Sequence, residues 1–576
     1  MDNHKQAATF KELFSNLTTN KAISIIIVLG FLVYFNGLFN GFVGDDNSQL
    51  IDNAMVHSIA NIPRFFAGST FNLDTGIQVG VFYKPLMQTV FTLIYSVFGE
   101  HVFFYHLFQL LLHILNSILL FLFFKFFLKP GWSLILSLIF LVHPINSESV
   151  LYISAIQEPL FFFFGILSLL VLVKFKSDWY LVLSNVLLLA SLFSKESGIL
   201  FVLSSFLYLL IFDRKRIWRF LGFVIIPLVI YFYLRLNAVG LAENPMNTQI
   251  ARLSLVERMI NIPEIILFYI KTFIFPLNLA VAWRWAFSKI TFIHFVVPII
   301  VVSSLFFLGT YLGLGLAKRH DRELLNRYVF FCLLLIIGLA LHLQIIPLDL
   351  TVSKRWFYFP MVGLLGMIGI VLMWYKIYIN SRWVLIISVL ILGLLSVRTM
   401  VRTFEWRDQF TLLLHDIQIS KDDYSAELVI GQLFLDQMKL DQAMVHARRS
   451  IELFPFPNNY NLLGQIYIKQ KNYPKAREAF VEGLKYGRMY GVLYENIAAL
   501  SVVYGDRDES INFIEKALKE YPGNYKLWLY LSVLEYKNGN IHGAKMAIKE
   551  ANELRPKDGS IEDNSVVDIY NSLKKI

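Results

Sequence analysis

The sequence predicts an all-α protein in two parts: a polytopic membrane helix bundle of about eleven spans, then a soluble array of stacked helix pairs. Three observations predict it. Apolar runs of spanning length recur from Ile23 to near Arg398. Composition changes near Thr403, after which Glu, Lys, Asp and Asn spread through helical patterns and no run approaches spanning length. The second part repeats itself with a period of about 34 residues, the mark of helix pairs that stack because none can bury its apolar face alone.

Composition supports the first part. Of 576 residues, 56% are hydrophobic and 16% charged, against about 25% charged in a soluble domain. The single Cys332 lies inside an apolar run and excludes a disulfide framework and a cysteine metal site. The net charge of +10 belongs to the Lys and Arg of cytoplasmic loops rather than to a nucleic-acid surface. Mixed polar residues precede Ile23 and no small-residue cleavage motif follows the apolar run. The run therefore reads as a retained signal anchor behind a cytoplasmic tail, 1–22.

Spans are expected near 23–40, 102–124, 133–151, 158–173, 178–193, 199–212, 217–234, 290–316, 328–346, 356–375 and 382–399. Two further apolar segments, Pro85 to Phe98 with Gln88 and Met259 to Leu279 with Pro263, Lys271 and Pro276, are excluded by charge. Without them, Lys125, Lys129, Lys174, Lys176, Arg214, Lys215, Arg216, Arg219, Lys318, Arg319, Arg322, Arg327, Lys376 and Arg382 share one side with the N-terminus. The positive-inside rule makes that side cytoplasmic. The two segments become helices in the outer interface, one of them within an outer loop at 41–101. The membrane domain then covers 23–402, a connector 403–423, and the repeats 424–576. An odd number of spans puts the repeats outside, in a bacterial periplasm or extracellular space, or in an endoplasmic lumen.

This topology sends Asp45, Asp46, Lys84, His143, Glu148, Glu158, Lys195, Glu196, Asp349, Lys354 and Arg355 to the outer face. Ionisable groups are costly near lipid, about 2.5–3.5 kcal/mol even on the lenient insertion scale. Six segments that send them to one side at similar depth predict a single outward-facing polar cavity.

In the second part, Gly431 and Gly464 stand 33 residues apart, Leu463 and Ile497 34, and Ile497 and Leu531 34. Tyr460, Leu463, Gly464, Tyr467, Ala476 and Phe480 fill six signature positions of a tetratricopeptide repeat, which the segment resembles. About four such repeats run from Tyr424 to Pro556. Small residues (Ala443, Gly464, Ala476, Ala544) allow close helix approach, aromatics fill the gap, and Pro455, Pro522 and Pro556 stop second helices.

The motifs that carry chemistry are Asp45-Asp46-Asn47, Tyr83-Lys84-Pro85-Leu86, His143-Pro144-Ile145-Asn146-Ser147-Glu148, Gln157-Glu158, Lys195-Glu196-Ser197-Gly198, Arg355-Trp356-Phe357-Tyr358-Phe359-Pro360 and Trp406-Arg407-Asp408. In this order, and followed by the repeats, they resemble the transmembrane-and-tetratricopeptide O-mannosyltransferases and their bacterial relatives. These are a branch of the GT-C superfamily of lipid-phosphate-sugar glycosyltransferases. Lys84, Gln157 and Lys354 depart from that branch, which usually has Arg, Arg and Glu there.

The resemblance implies transfer of a mannose-like hexose from a polyprenyl-phosphate donor to an acceptor hydroxyl, that of a protein Ser or Thr, with inversion. Such transfer needs one carboxylate base for the acceptor and cations for the departing phosphate. Asp45 or Asp46 supplies the base, since one of two adjacent carboxylates is expected to have a raised pKa. Position in the resembling motif favours Asp45, with Asp46 positioning donor or acceptor; the reverse stays open. Lys84 and Arg355 are the expected phosphate partners. The plainer readings are a snorkelling Lys84 and an Arg355 paired with Asp349 or another loop's carboxylate. His143, Glu148, Glu158, Lys195, Glu196, Lys354 and Tyr358 are further candidates for substrate contact. For His143 the alternative is a backbone hydrogen bond, for Lys195-Glu196 a structural pair. Trp406 and Arg407 are expected to dock the repeats.

Hard carboxylate oxygens at Asp45 and Asp46 suit Mg or Mn, but no third acidic ligand stands nearby and the resemblance points to metal-independent chemistry. The expected partners are the lipid-linked donor, membrane lipid, a protein or glycan acceptor, and a protein on the repeats. The alternatives are a transferase acting on a lipid or glycan, a non-catalytic membrane anchor displaying a repeat scaffold, and, more weakly, a transporter.

Overall fold

The computed structural model describes residues 17–70, 82–240, 248–318, 321–379, 381–487 and 491–555. The chain forms two compact units, Met1–Ser420 and Lys421–Ile576. Both are helical; among the described residues, extended pairing is limited to one bridge, Trp283 with Val352.

Among the described residues of the first unit, seven helices are long and apolar enough to cross a membrane: Thr19–Phe39, Val102–Phe124, Ile153–Lys174, Arg214–Val239, Phe292–Lys318, Arg322–Ala340 and Arg382–Glu405. An eighth is a pair, Pro130–Val142 and Pro144–Leu151, bent by 48°. The break falls at His143-Pro144, where proline disfavours a helical residue before it. The remaining three of the eleven expected spans are helices of 17, 14 and 15 residues: Asp178–Ser194, Ile199–Phe212 and Pro360–Trp374. At 1.5 Å per residue these reach about 21–26 Å, short of a hydrocarbon core of about 30 Å. The count of eleven is thus met by length in only seven or eight cases. The shortfall has a local cause. The backbone leaves the helix at Lys195 (φ −162°, ψ 146°) and runs through Ser353 (φ −135°, ψ 137°) into a tight turn, Lys354–Phe357. Both polar segments interrupt what would otherwise be membrane helix.

Helices at the centre of this unit are buried all round. Phe123, Phe124, Phe127, Phe162, Phe330 and Phe331 pack into one core with Tyr358 and Phe359. Helix Phe292–Lys318 shows almost its whole apolar surface, as expected of a segment whose solvent is lipid. Pro85–Phe98, with 14 residues, is too short to cross. Leu255–Ile274 opens with a capping box between Ser254 and Glu257 and contains Pro263.

Among its described residues, the second unit is four consecutive helix pairs: Tyr424–Asp436 with Leu440–Leu453, Pro457–Lys469 with Tyr473–Leu484, Gly491–Val503 with Arg507–Glu520, and Tyr525–Lys537 with Ile541–Leu554. Their starts are written in the sequence: Asp423, Asn472, Asp506, Asn524 and Asn540 accept hydrogen bonds from backbone amides of the first turn. Ala443, Ala476 and Ala544 are fully buried between helices. A Cβ on Gly464 would lie 2.2 Å from the Phe480 ring, so only glycine allows that approach.

Candidate active site

The first membrane helix ends in a tight turn, Phe35–Phe39, and leads into the Gly44-Asp45-Asp46 loop. Gly44 has φ +56°, and a Cβ there would stand 3.0 Å from the Tyr152 hydroxyl. A side chain is therefore excluded twice, by backbone conformation and by space. The two carboxylates that follow differ sharply. Asp45 is exposed; Asp46 is fully buried. Asp46 Oδ2 accepts from the Val43 amide at 2.9 Å and Oδ1 from the Ser154 amide at 2.7 Å. The amide of Asp45 donates to the Tyr152 hydroxyl at 2.9 Å.

Burial pushes the Asp46 pKa up to about 7, against the opposing effect of the Val43 and Ser154 donors; the charge of Asp45 adds the least. The raised pKa expected of a carboxylate pair thus falls on Asp46, and desolvation rather than mutual repulsion is its main cause. Asp46 is a buried anchor of the loop, and Asp45 is the carboxylate that faces outward.

The cationic side is assembled from distant segments. Glu148, fully buried, meets Arg355 Nη1 at 3.1 Å and accepts from Ser353 Oγ at 3.0 Å, with Lys354 Nζ at 3.9 Å. Burial opposes the Arg355 charge, yet Glu148, then Asp349 and Glu158, outweigh it and raise its pKa. The partner of Arg355 is thus Glu148 rather than Asp349. Lys195 Nζ meets Glu158 Oε1 at 2.5 Å, both buried. The alternative of a Lys195-Glu196 structural pair is not formed: the extended backbone at Lys195 turns its side chain inward and leaves Glu196 exposed.

Lys84 is different. It precedes helix Pro85–Phe98, its amide held by Thr70 Oγ1 at 3.1 Å, and its ammonium lies 4.7 Å from the Phe82 ring centre. No described carboxylate lies within ion-pair distance of it. Burial lowers its pKa, Glu196 opposes that, and the like charges of Lys195 and Arg355 lower it further. Those influences put Lys84 in the field of the same cluster. Arg355 also acts on Tyr152, the residue that holds Asp45. The carboxylate loop and the cations therefore share a neighbour.

Three candidates are corrected. His143 spends both ring nitrogens on backbone: Nδ1 accepts from the Ile145 amide at 3.1 Å and Nε2 meets the Phe273 carbonyl at 2.9 Å, with the ring stacked on Phe273. It has no nitrogen left for a ligand. Tyr358 lies fully buried in the helix core, its hydroxyl 2.8 Å from His113 Nδ1 and 3.2 Å from Asn116 Nδ2; the turn after Arg355 carries it away from the polar cluster. Lys354 is also fully buried and bonds the Ala280 carbonyl, and burial followed by the Arg402 charge lowers its pKa to about 8.

Asp45 and Asp46 offer a poor donor set for Mg or Mn. Asp46 has given each oxygen to an amide, and among the described residues no three His, Cys, Asp or Glu side chains converge. No step is derived through a metal.

Several residues around the site carry no motif. Tyr152, Ser154 and Gln409 hold the carboxylate loop, Gln409 through its Oε1 and the Gly44 amide at 3.1 Å. Behind them lies a second buried network. Arg402 Nη1 reaches Glu405 at 2.7 Å and Asp416 at 3.4 Å, His415 Nδ1 meets Asp416 at 3.1 Å, and the Val281 amide donates to Asp416 at 2.7 Å. Burial alone would raise the Asp416 pKa, but Arg402 and then His415 outweigh it and lower it. Trp406, expected to dock the repeats, is instead buried in the first unit, 5.7 Å from the Tyr152 ring centre and 5.5 Å from the Arg402 guanidinium.

A tetratricopeptide-repeat family model matches residues 457–486. The human protein O-mannosyl-transferase TMTC3 is 21% identical over 506 residues, 80% of this chain and 54% of the human protein. The mouse protein of that name is 28% identical over 186 residues, 31% of this chain and 20% of its own length. The TPR repeat-containing protein YsoA of Bacillus subtilis is 30% identical over 118 residues, 19% of this chain and 35% of that protein. This chain spans about half the length of the human relative it matches. By its motifs, its two-part helical build and four fifths of its length, the chain resembles the transmembrane-and-tetratricopeptide O-mannosyltransferases.

Proposed function

We propose that this membrane protein is a glycosyltransferase that moves a mannose-like hexose from a polyprenyl-phosphate carrier to an acceptor hydroxyl, a protein Ser or Thr, on the outer face of the membrane. The observation that carries this reading is the asymmetry of the site. An exposed carboxylate, Asp45, stands on a loop locked by its buried neighbour and by Tyr152, which ends helix Ser147–Leu151; that helix packs against the turn Lys354–Phe357, which carries Arg355, and the charge of Arg355 acts on Lys84, a cation with no described ion-pair partner. The printed name of the human relative, a protein O-mannosyl-transferase, supports the reaction class. The repeats give a protein acceptor a surface on which to lie, and the outer placement rests on the bias of Lys and Arg in the loops.

Asp45 is the base. It removes the acceptor proton as the acceptor oxygen attacks the anomeric carbon from the face opposite the phosphate, which inverts configuration. Asp46 positions that base: its amide bonds fix the loop, and its raised pKa keeps a second negative charge from crowding the first at mildly acidic pH. Lys84, with no ion-pair partner among the described residues, receives the departing phosphate. Arg355, still partly exposed, offers its remaining N–H groups while Glu148 fixes its orientation. Glu158 and Lys195 neutralise one another behind this face.

The test is direct. The purified full chain, in lipid nanodiscs, is incubated with labelled polyprenyl-phosphate hexoses and Ser/Thr peptides. Asp45→Asn should lower transfer by about 10²–10⁴-fold, the worth of a general base, with membrane insertion intact. Transfer that survives both Asp45→Asn and Asp46→Asn would overturn the assignment and favour a scaffold.

A further inference from the structure

Three hydrogen bonds tie the carboxylate loop to the end of the last membrane helix and the segment that follows it. Asn40 Nδ2 donates to the Thr403 carbonyl at 3.0 Å, the Gly41 amide to the Arg407 carbonyl at 2.9 Å, and the Gly44 amide to Gln409 Oε1 at 3.1 Å. A fourth link is indirect: Tyr152, which accepts from the Asp45 amide, packs on Trp406. The other wall of the loop comes from Tyr152 and Ser154, beyond helix Ser147–Leu151. The loop is thus clamped between two walls, one of which belongs to the connector.

We propose that Gln409, in the first turn of helix Gln409–Ile419, is a positioning residue for the Asp45 base, acting through the Gly44 amide. The proposal rests on the reading of Asp45 given above. Three features make Gln409 the sensitive point of the clamp. First, of the connector contacts, this one lies next to Asp45 in sequence. Second, Gly44 holds a left-handed backbone (φ +56°), so the direction of its amide sets the path of the chain into Asp45. Third, Gln409 itself is well held: the preceding Asp408 caps its helix, Oδ1 accepting from the Thr411 amide at 2.9 Å and Oδ2 from the Thr411 hydroxyl at 2.9 Å. Behind the helix, Asp416 is anchored by Arg402 and the Val281 amide. A rigid helix therefore presents one side-chain oxygen to the backbone donor beside the base. Base position matters to the rate because a misplacement of about 1 Å can cost on the order of 10²-fold.

The experiment compares Gln409→Leu and Gln409→Glu with the unsubstituted full chain and with Asp45→Asn. Transfer kinetics use a labelled polyprenyl-phosphate hexose and a Ser-containing peptide, and amide exchange is followed over residues 40–46. Leu removes the acceptor, so kcat should fall about tenfold with KM for the donor unchanged, and exchange of the loop amides should rise. Glu keeps an acceptor oxygen, so kcat and amide protection should return. Its added negative charge near Asp45 should move the acidic limb of the pH profile upward. The proposal is overturned if Gln409→Leu leaves kcat within about twofold, if it acts on KM alone, or if Gln409→Glu is no better than Leu. Unchanged loop exchange in Gln409→Leu also overturns it, and this arm stands whether or not transfer depends on Asp45. If Asp45→Asn keeps full transfer, it is the assignment of the base that fails.

Discussion

The membrane unit and the repeat unit use charge in opposite ways. In the repeats, pairs such as Arg449 with Glu452 at 3.3 Å, with 47% and 66% of their side-chain surfaces exposed, and Lys485 with Glu482 at 2.6 Å lie on the surface, three residues apart in sequence. The membrane unit has surface pairs too, such as Arg219 with Asp178, but it also holds buried or nearly buried pairs between separate elements: Glu148 with Arg355, Glu158 with Lys195, Arg402 with Asp416. Surface pairs remain hydrated and contribute little. Buried pairs exist only because each charge compensates the other, so neither partner can be removed alone. The repeats are therefore held by local apolar packing, with charge as solvated trim. The membrane unit adds to its surface charges a set held in a polar interior.

The sharpest way to break this comparison is to remove a fully buried carboxylate that two cations share. Glu148→Gln keeps the size of the side chain but leaves Arg355 and Lys354 without their shared carboxylate. The expected loss is about 3–5 kcal/mol, the usual consequence of stranding a buried charge. It should appear as a large drop in the unfolding temperature of the full chain in detergent, and as weaker donor binding, since Arg355 loses the group that orients it. A change within the error of the melt would mean that water reaches Glu148 and that the polar interior is open.

The same contrast explains what was legible in the sequence. The repeat unit could be read almost residue by residue, because its signals are local: a small residue, an aromatic and a proline at fixed offsets specify one helix pair, and the next pair repeats them. The membrane helices were legible as apolar runs, and the site charges stood out because they are costly there. Their partners were not legible. Ser353 reaches Glu148 across 205 positions, and Gly44 reaches Gln409 across 365. Asp46 is fixed by the amides of Val43 and Ser154, and a backbone N–H has no letter in the sequence. Tyr358 misled for a related reason. It stands three residues from Arg355, but the tight turn Lys354–Phe357 rotates it into the core. One signal could have pointed to Gln409: Asp408 reads as a helix cap, which places the next residue at the start of a rigid helix beside the last span.

A second, smaller effect separates the two acidic residues of the opening motif. The Asp46 pKa is raised from its ordinary value to about 7, so the folded protein holds this proton more tightly than the unfolded chain. The resulting stabilisation is fully present below the ordinary carboxylate range, near pH 4, and is lost as pH rises through about 7. Its size is at most a few kcal/mol. Melts at pH 5 and pH 8 should therefore differ less in Asp46→Asn than in the unsubstituted chain. Asp45→Asn should reduce that difference far less, since the charge of Asp45 is the smallest cause of the Asp46 shift. If the two substitutions flattened the dependence equally, Asp45 would share the proton, and the roles of base and anchor could not be divided between them.

The smallest expected effect is the counterpart of the first. Glu452→Gln removes the partner of Arg449 on the helix Leu440–Leu453. Arg449 stays hydrated, so no charge is stranded, and the change in stability should stay within about 0.5 kcal/mol. Raising the salt from 0.05 to 0.5 M (roughly a threefold shorter screening length) should erase even that. The same chemical change, Glu to Gln opposite an arginine, is thus predicted to be severe at 148 and nearly silent at 452. A measurable loss at 452 that persists in high salt would show that the repeat surface holds its charges in a less hydrated setting than their exposure indicates. In that case a partner or the membrane, and not bulk water, would be the medium that the repeats face.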